Sequence, residues 1–110
     1  MIQIPKTKPI RSEPFLKYIR LKPCEVWGCS GKSVAAHVRK IFWQAGVGIK
    51  PHDLVAISLC DGLDISHHKE LDAIGMEAFE ERYNIDIKRI IINNLMEWIN
   101  IKHGTKVEKL

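Results

Sequence analysis

The sequence predicts a single α+β domain in which a short antiparallel β-ribbon is combined with helices. An apolar run at 54–59, bounded by turn residues, is typical of a strand, and 33–38 is β-compatible. A long helix is predicted at about 87–102, since apolar residues recur there at helical spacing. Its inner face consists of Ile87, Ile91, Leu95 and Trp98. We expect this face to be core or a dimer contact.

Shorter helices complete the prediction. Residues 13–20 can form a helix because Pro14 is tolerated in a first turn. Ser66 is a suitable N-cap for a second helix at 66–73. A third is expected at 76–83 and ends at Asn84, while Asp86 caps the long helix.

Length and composition indicate one soluble domain. A chain of 110 residues buries one modest core, and no apolar run is long enough to cross a bilayer. No signal-peptide pattern opens the chain, so we expect a cytoplasmic protein without membrane association. In that compartment the three cysteines are expected to be thiols or metal ligands.

The net charge of +4 is unevenly distributed. Residues 1–40 contain nine basic and two acidic residues, hence +7, whereas 41–110 contain eight basic and eleven acidic residues, hence −3. Residues 1–13, with scattered prolines, are predicted to be a basic extended arm. The basic half favours a polyanion partner, and a merely solvated basic surface is the alternative.

Two pairs of possible ligands, one Cys–Cys and one Cys–His, point to a metal. Cys24 and Cys29 are separated by four residues, and Cys60 and His67 by six. A tetrahedral zinc ion is satisfied by four such donors, two from one turn and two from a neighbouring element. The alternative is that the three cysteines are small buried hydrophobic residues.

A second set of residues suggests catalysis. His68 and Asp72 are four residues apart on one face of the predicted helix and can share a divalent ion. His37, on the first strand, can activate water as a general base. A single histidine in such a position is more often structural, or merely exposed, than catalytic.

Several stretches together carry a family resemblance. The sequence reads AHVR at 36–39, GVGIKPHDL at 46–54, SLC at 58–60 and HHKELD at 67–72. This order resembles the HNH nucleases, especially small bacterial and phage members, over residues 14–86. The resemblance implies a ββα-metal core and a metal-dependent endonuclease of phage or prophage type that hydrolyses DNA. Residues 87–110 would be a C-terminal helix and tail packed on the same domain.

The resemblance also implies roles for individual residues. His37 corresponds to the general base, and Asp53, in place of the central Asn of the family, orients the His37 loop. His68 and Asp72 would hold a catalytic Mg²⁺ or Mn²⁺ ion. The implied structural zinc ligands are Cys24, Cys29, Cys60 and His67. Apart from the resemblance, Arg39, Lys40 and Lys50 are expected to contact DNA phosphates, which attract Lys and Arg whatever the base sequence.

The sequence departs from the family pattern at three places. Ala36 replaces a frequent metal ligand, Asp72 replaces a histidine, and the segment between Cys60 and His67 is longer than usual. These departures leave a second hypothesis open, a zinc-stapled nucleic-acid-binding module without catalysis. A structural dimerisation unit built on the 87–102 helix is a third.

Overall fold

The computed structural model describes residues 10–29, 31–39, 41 and 52–103. It contains a two-stranded antiparallel sheet and four α-helices, which confirms the α+β class. The elements are, in order, α1 (Glu13–Arg20), β1 (Ser33–His37), a 3₁₀ helix (Asp53–Val55), β2 (Ala56–Cys60), α2 (His67–Ile74), α3 (Met76–Tyr83) and α4 (Ile87–His103). No helix within the described ranges is both long and apolar enough to cross a membrane.

The register of the β-ribbon shows which residues lie at each of its two ends. Ser33 pairs with Cys60 at one end and His37 with Ala56 at the other. Every residue of β2 is buried. Strand β2 begins two residues later than the predicted start at residue 54. The reason is that the Val55 amide donates to the His52 carbonyl and closes a 3₁₀ turn before the strand. Most of the connection between the two strands, including Gly46 and Gly48, lies outside the described residues.

Helix α1 forms because both its start and its inner face are encoded locally. The hydroxyl of Ser12 accepts the amide of Phe15, and a proline occupies the first turn. Phe15 and Ile19, four residues apart, are fully buried. Helix α1 therefore packs its apolar side against the ribbon.

Helices α2 and α3 are separated by a glycine with a left-handed backbone. Ser66 caps α2 by accepting the amide of Lys69, as predicted. Gly75 has a φ of 86°, a conformation that L side chains rarely adopt, so the chain breaks there. Asn84 ends α3 with a φ of 53°.

Helix α4 buries the face that its spacing predicted. The Asp86 carboxylate accepts the amide of Arg89, so Asp86 caps the helix. Ile87 and Ile91 are buried in the core. Trp98 packs edge-on against Phe15, with ring centroids 5.7 Å apart. These three residues of the apolar face therefore pack within the core of a single chain rather than in a dimer contact.

Polar contacts join α1 and Lys22, which follows its C-cap, to α4 beside this core. The Tyr18 hydroxyl donates to Glu97 Oε2 over 2.6 Å, and Lys22 Nζ donates to Asn94 Oδ1 over 2.6 Å. Burial, followed by the bond to Glu97, raises the pKa of Tyr18 well above its usual value. These contacts hold α1 and α4 in one orientation relative to each other.

Candidate functional site

Four predicted ligands converge at one end of the ribbon. The sulfur atoms of Cys24, Cys29 and Cys60 and a ring nitrogen of His67 all lie within 4.8 Å of one another. His67 Nδ1 is 3.1 Å from Cys60 Sγ and 3.5 Å from Cys24 Sγ. We call these four residues the Cys3His cluster.

Three separate elements bring the Cys3His cluster together. Cys24 and Cys29 lie in the turn after α1, and the amide of Glu25 in that turn donates to the Ser58 carbonyl of β2 over 2.8 Å. Cys60 is the last residue of β2. His67 is the first residue of α2.

The surroundings of the four donors are mostly buried and apolar. Cys24, Cys60 and His67 are buried, and Cys29 is partly exposed. Burial raises the pKa of the Cys24 thiol to about 11, whereas the amide of Gly31, 3.5 Å from Cys29 Sγ, lowers the pKa of Cys29. The His67 amide also lies 3.4 Å from Cys60 Sγ. Backbone N–H groups directed at sulfur favour the thiolate form that binds metals.

The donor set fits a zinc ion. In a tetrahedral site with Zn–S bonds of about 2.3 Å, sulfur atoms are roughly 3.8 Å apart, which donor atoms that all lie within 4.8 Å of one another can reach with a small movement. Three thiolates and an imidazole are also the donors that zinc prefers. The Cys3His cluster could therefore hold a metal such as zinc.

The ring of His67 is fixed by aromatic neighbours. Its centroid lies 5.1 Å from that of Tyr83 and 6.5 Å from that of Phe79, both in edge-to-face arrangements. The Tyr83 hydroxyl and the Arg82 guanidinium both bond to the carboxylate of Glu70. Helix α3 thus supports the orientation in which His67 Nδ1 faces the sulfur atoms.

A second polar site lies at the opposite end of the ribbon. His37 Nε2 is 2.8 Å from Asp53 Oδ1, and Asp53 is only 3% exposed. Asp53 Oδ2 accepts the amide of Ser12 over 2.7 Å, and its Oδ1 also accepts Arg11 Nη1 over 3.0 Å. Burial alone would raise the pKa of Asp53, but the hydrogen bonds from His37, Ser12 and Arg11 lower it below its usual value.

The two sites are separated by the length of the ribbon. His37 pairs with Ala56, whereas Cys60 pairs with Ser33. Four residue steps along a strand correspond to roughly 13 Å. A metal in the Cys3His cluster is therefore too far away to take part in chemistry at His37.

His68 and Asp72 form a pair of their own on α2. His68 Nε2 is 3.7 Å from Asp72 Oδ2, and its Nδ1 is 3.9 Å from Asp61 Oδ2. That Nδ1 atom is buried and makes no hydrogen bond within the described part of the chain. Among residues 10–29, 31–39, 41 and 52–103, the Cys3His cluster is the one group of three or more donors close enough to share an ion. His37 is not grouped with His68 and Asp72.

The predicted phosphate contacts are only partly described. Arg39 is exposed, two residues after His37. Lys40 and Lys50 lie outside the described residues. Ala36 is fully buried in the core, so a metal-binding side chain at this position would have to displace core packing.

Sequence reasoning assigned no site role to two residues that the structure places in these sites. Arg11 contacts Asp53 across 42 positions, and no local motif indicates that contact. Gly31 lies so close to the Cys3His cluster that a Cβ on it would be 2.7 Å from Cys60 Cβ. The position of Gly31, two residues after Cys29, was the one sequence feature that could have indicated close packing against the cysteines.

The fold and the Cys3His cluster define a small α+β protein with a site suited to a metal such as zinc. The chain belongs to the family described as "Protein of unknown function (DUF968)", which matches residues 1–101. No curated protein and no solved structure matches the chain significantly.

Proposed function

We propose that the protein is a metal-dependent endonuclease of the HNH type, with a ββα-metal core, that hydrolyses phosphodiester bonds in DNA. The observation that carries the proposal is the hydrogen bond between His37 and the buried carboxylate of Asp53. A histidine held by a buried carboxylate is a common arrangement for a general base.

The hydrogen bond assigns different tasks to the two nitrogens of His37. Because the Asp53 carboxylate is an acceptor, Nε2 carries the proton and Nδ1 keeps the lone pair in the neutral ring. The side chain of His37 is 30% exposed, so solvent can reach it. Nδ1 of His37 would take the proton from the attacking water, and Asp53 would hold the ring and stabilise its charged form.

His68 and Asp72 would hold the divalent ion. Their separation of 3.7 Å allows one imidazole nitrogen and one carboxylate oxygen to bind the same ion, with water completing its shell. Mg²⁺ or Mn²⁺, when bound, would supply Lewis acidity at the phosphate. The Cys3His cluster would hold a structural zinc ion, which ties the turn after α1 to β2 and α2.

DNA would be bound mainly through its phosphates. Arg39 is exposed beside His37, and Lys40 and Lys50 are proposed to act in the same way. Phosphate contacts position the duplex and carry no base preference. The proposed enzyme therefore gains affinity from positive charge rather than from contacts with particular bases.

Two observations favour a second candidate, a zinc-stapled nucleic-acid-binding module without catalysis. Ala36 is fully buried at the position where many of the HNH nucleases that the sequence resembles carry a metal ligand. In addition, the described contacts of His68 are with Asp61 and Asp72 rather than with His37. Such a module would retard DNA in a gel without cutting it.

Incubation with supercoiled plasmid and Mg²⁺ or Mn²⁺ separates the two candidates. A nuclease converts the plasmid to nicked or linear forms, and H37A lowers the rate by ~10²–10⁴-fold, the usual contribution of a positioned acid–base group. H37A should keep its affinity for Mn²⁺ and for DNA. Retardation without any cleavage by the wild-type protein would favour the binding module.

Metal titration separates the base from the ligands. D72A should weaken Mn²⁺ binding, and a high Mn²⁺ concentration should restore part of its activity. E77A removes an exposed carboxylate from α3 and serves as the matched control. If calorimetry shows that H37A loses Mn²⁺ affinity as D72A does, His37 is a ligand and not the base.

A further inference from the structure

The two ring nitrogens of His68 lie in different surroundings. Nδ1 is one of two buried side-chain atoms without a hydrogen-bond partner in the part of the chain that the structure describes, and Nε2 is not. The imidazole as a whole is 30% exposed, so solvent reaches the ring elsewhere than at Nδ1. Nε2 lies 3.7 Å from the Asp72 carboxylate, whose side chain is 43% exposed. Nε2 is therefore the nitrogen that a hydrated divalent ion can approach.

Binding of an ion through Nε2 leaves the proton of the neutral imidazole on Nδ1. A buried N–H group needs an acceptor, because it has lost its hydrogen bonds to water. The Asp61 carboxylate faces Nδ1, with Oδ2 at 3.9 Å. This distance is about 1 Å longer than a hydrogen bond, and a bridging water would need a separation of about 4.5 Å. A small rotation of either side chain thus brings Asp61 into direct contact with Nδ1.

Asp61 is held beside the first turn of α2 by bonds at its backbone and at its other oxygen. The Asp61 amide donates to the Lys32 carbonyl over 3.2 Å. Its Oδ1 accepts the hydroxyl of Ser66 over 2.8 Å, and the same hydroxyl accepts the amide of Lys69. With Oδ1 bonded in this way, Oδ2 is the oxygen directed towards His68.

We propose that Asp61 is a positioning residue for the divalent-ion site. Its Oδ2 accepts the Nδ1 proton of His68 and fixes the ring with Nε2 directed at the ion. This inference rests on the proposed function, which assigns that ion to His68 and Asp72. A carboxylate on the second nitrogen of a metal-binding histidine orients the ring and makes it a better ligand. Asp61 itself does not touch the ion, which lies on the other side of the imidazole.

The competing role for Asp61 is that of a direct ligand, with the ion between its carboxylate and Nδ1. The two roles place the proton of the neutral ring on different nitrogens. If Asp61 positions the ring, Nδ1 keeps the proton whether or not the ion is bound. If Asp61 is a ligand, the ion takes the place of the proton at Nδ1, and Nε2 carries the proton instead.

NMR spectroscopy of the ¹⁵N-labelled full chain distinguishes these roles, because the ¹⁵N chemical shift shows which ring nitrogen is protonated. Spectra are recorded at about pH 8, where an ordinary imidazole is neutral. H68A identifies the His68 signals among the five histidines. We expect the proton on Nδ1 both before and after Mg²⁺ is added. A proton on Nε2 in either state overturns the inference.

Calorimetric titration with Mn²⁺ measures what Asp61 contributes to the ion site. D61A should bind Mn²⁺ ~10–100-fold more weakly than the wild type, the usual effect of losing the partner of a metal-binding histidine. In D61A the proton of His68 should also move to Nε2. D64A removes the same charge from an exposed position in the same loop and should bind Mn²⁺ like the wild type. Equal Mn²⁺ affinities of D61A and D64A overturn the inference.

Failure of this inference can be told apart from failure of the proposed function. Wild-type protein that binds no Mn²⁺ refutes the divalent-ion site, and the role of Asp61 with it. Wild-type protein that binds Mn²⁺ but cuts no plasmid refutes the nuclease, while the role of Asp61 is decided by the titrations and the spectra. If only the role of Asp61 fails, wild-type Mn²⁺ binding and cleavage remain. The spectra of the wild type need no substitution at Asp61, so they decide the matter even if D61A does not fold.

Discussion

His37 Nε2 lies 2.8 Å from Asp53 Oδ1, although sixteen positions separate the two residues. His37 ends β1, and Asp53 begins the 3₁₀ helix that precedes β2. The antiparallel register places Ala56 opposite His37, and the 3₁₀ turn then brings Asp53 back towards the imidazole ring. The pair is thus a product of the ribbon and of the turn before β2.

The first prediction concerns acid stability. The folded-state pKa of Asp53 is lowered, so its contribution to stability is present above the unfolded pKa of about 3.9 and is lost as the pH falls through the lower folded-state value. D53N lacks this contribution and should be less stable than wild type at pH 7 by about 1–3 kcal/mol. Urea unfolding of both proteins at pH 7, 5 and 3 should show the difference shrinking only below pH ~4. A difference that is already lost at pH 5 would contradict the prediction.

The second prediction compares two neighbouring histidines. H67A removes a donor of the Cys3His cluster, so purified protein should lose bound zinc and melt at a lower temperature. H68A leaves the cluster intact and should retain zinc. Elemental analysis gives the zinc-to-protein ratio of each variant, and melting with and without a chelator gives the stability. Equal zinc content in the two variants would show that His67 is not a ligand, and melting that is indifferent to chelation would exclude a structural zinc ion here.

The third prediction concerns Gly31. A Cβ at this position would lie 2.7 Å from Cys60 Cβ and 3.4 Å from Cys60 Sγ, so the chain must shift away from the Cys3His cluster. We expect G31A to destabilise the protein by about 1–3 kcal/mol, the usual cost of overpacking, and to weaken zinc binding. K32A, at the next position and exposed, should change neither property. Competition with a coloured zinc chelator measures the affinity, and wild-type affinity in G31A would show that the chain at residue 31 adapts freely.

The fourth prediction concerns the basic arm, whose residues 1–9 lie outside the described part of the chain. Deleting residues 1–9 removes Lys6 and Lys8 but keeps the contacts of Ile10 and Ser12 with the 3₁₀ helix. If both lysines contact phosphates, the slope of log K against log salt should become shallower by about 2. The double variant K17A/K69A removes two exposed charges from α1 and α2 and should leave the slope unchanged. An unchanged slope in the deletion would show that the arm takes no part in DNA binding.

Local signals were sufficient for most of the secondary structure. The Ser66 cap, the break at Gly75 and the apolar spacing of α4 each depend on residues within one or two helical turns, so the sequence displays them directly. The strand boundaries were less accurate, because the turn at 53–55 competes with the extended conformation over the same residues. The 3₁₀ turn and the pairing of Ala56 with His37 together set where β2 begins.

For the candidate sites, too, one part could be predicted from the sequence and another part could not. The sequence alone determined which residue types are present: three cysteines and a histidine with the spacing of metal ligands, and a histidine and an aspartate in an HNH-like order. Only the tertiary structure decided that the Cys3His donors converge, that Arg11 joins His37 on Asp53, and that His68 and Asp72 form a separate pair. The reason is physical. Capping and periodicity act over a few residues, whereas these contacts join elements up to 43 positions apart and depend on how the turn after α1, the ribbon and α2 pack around one core.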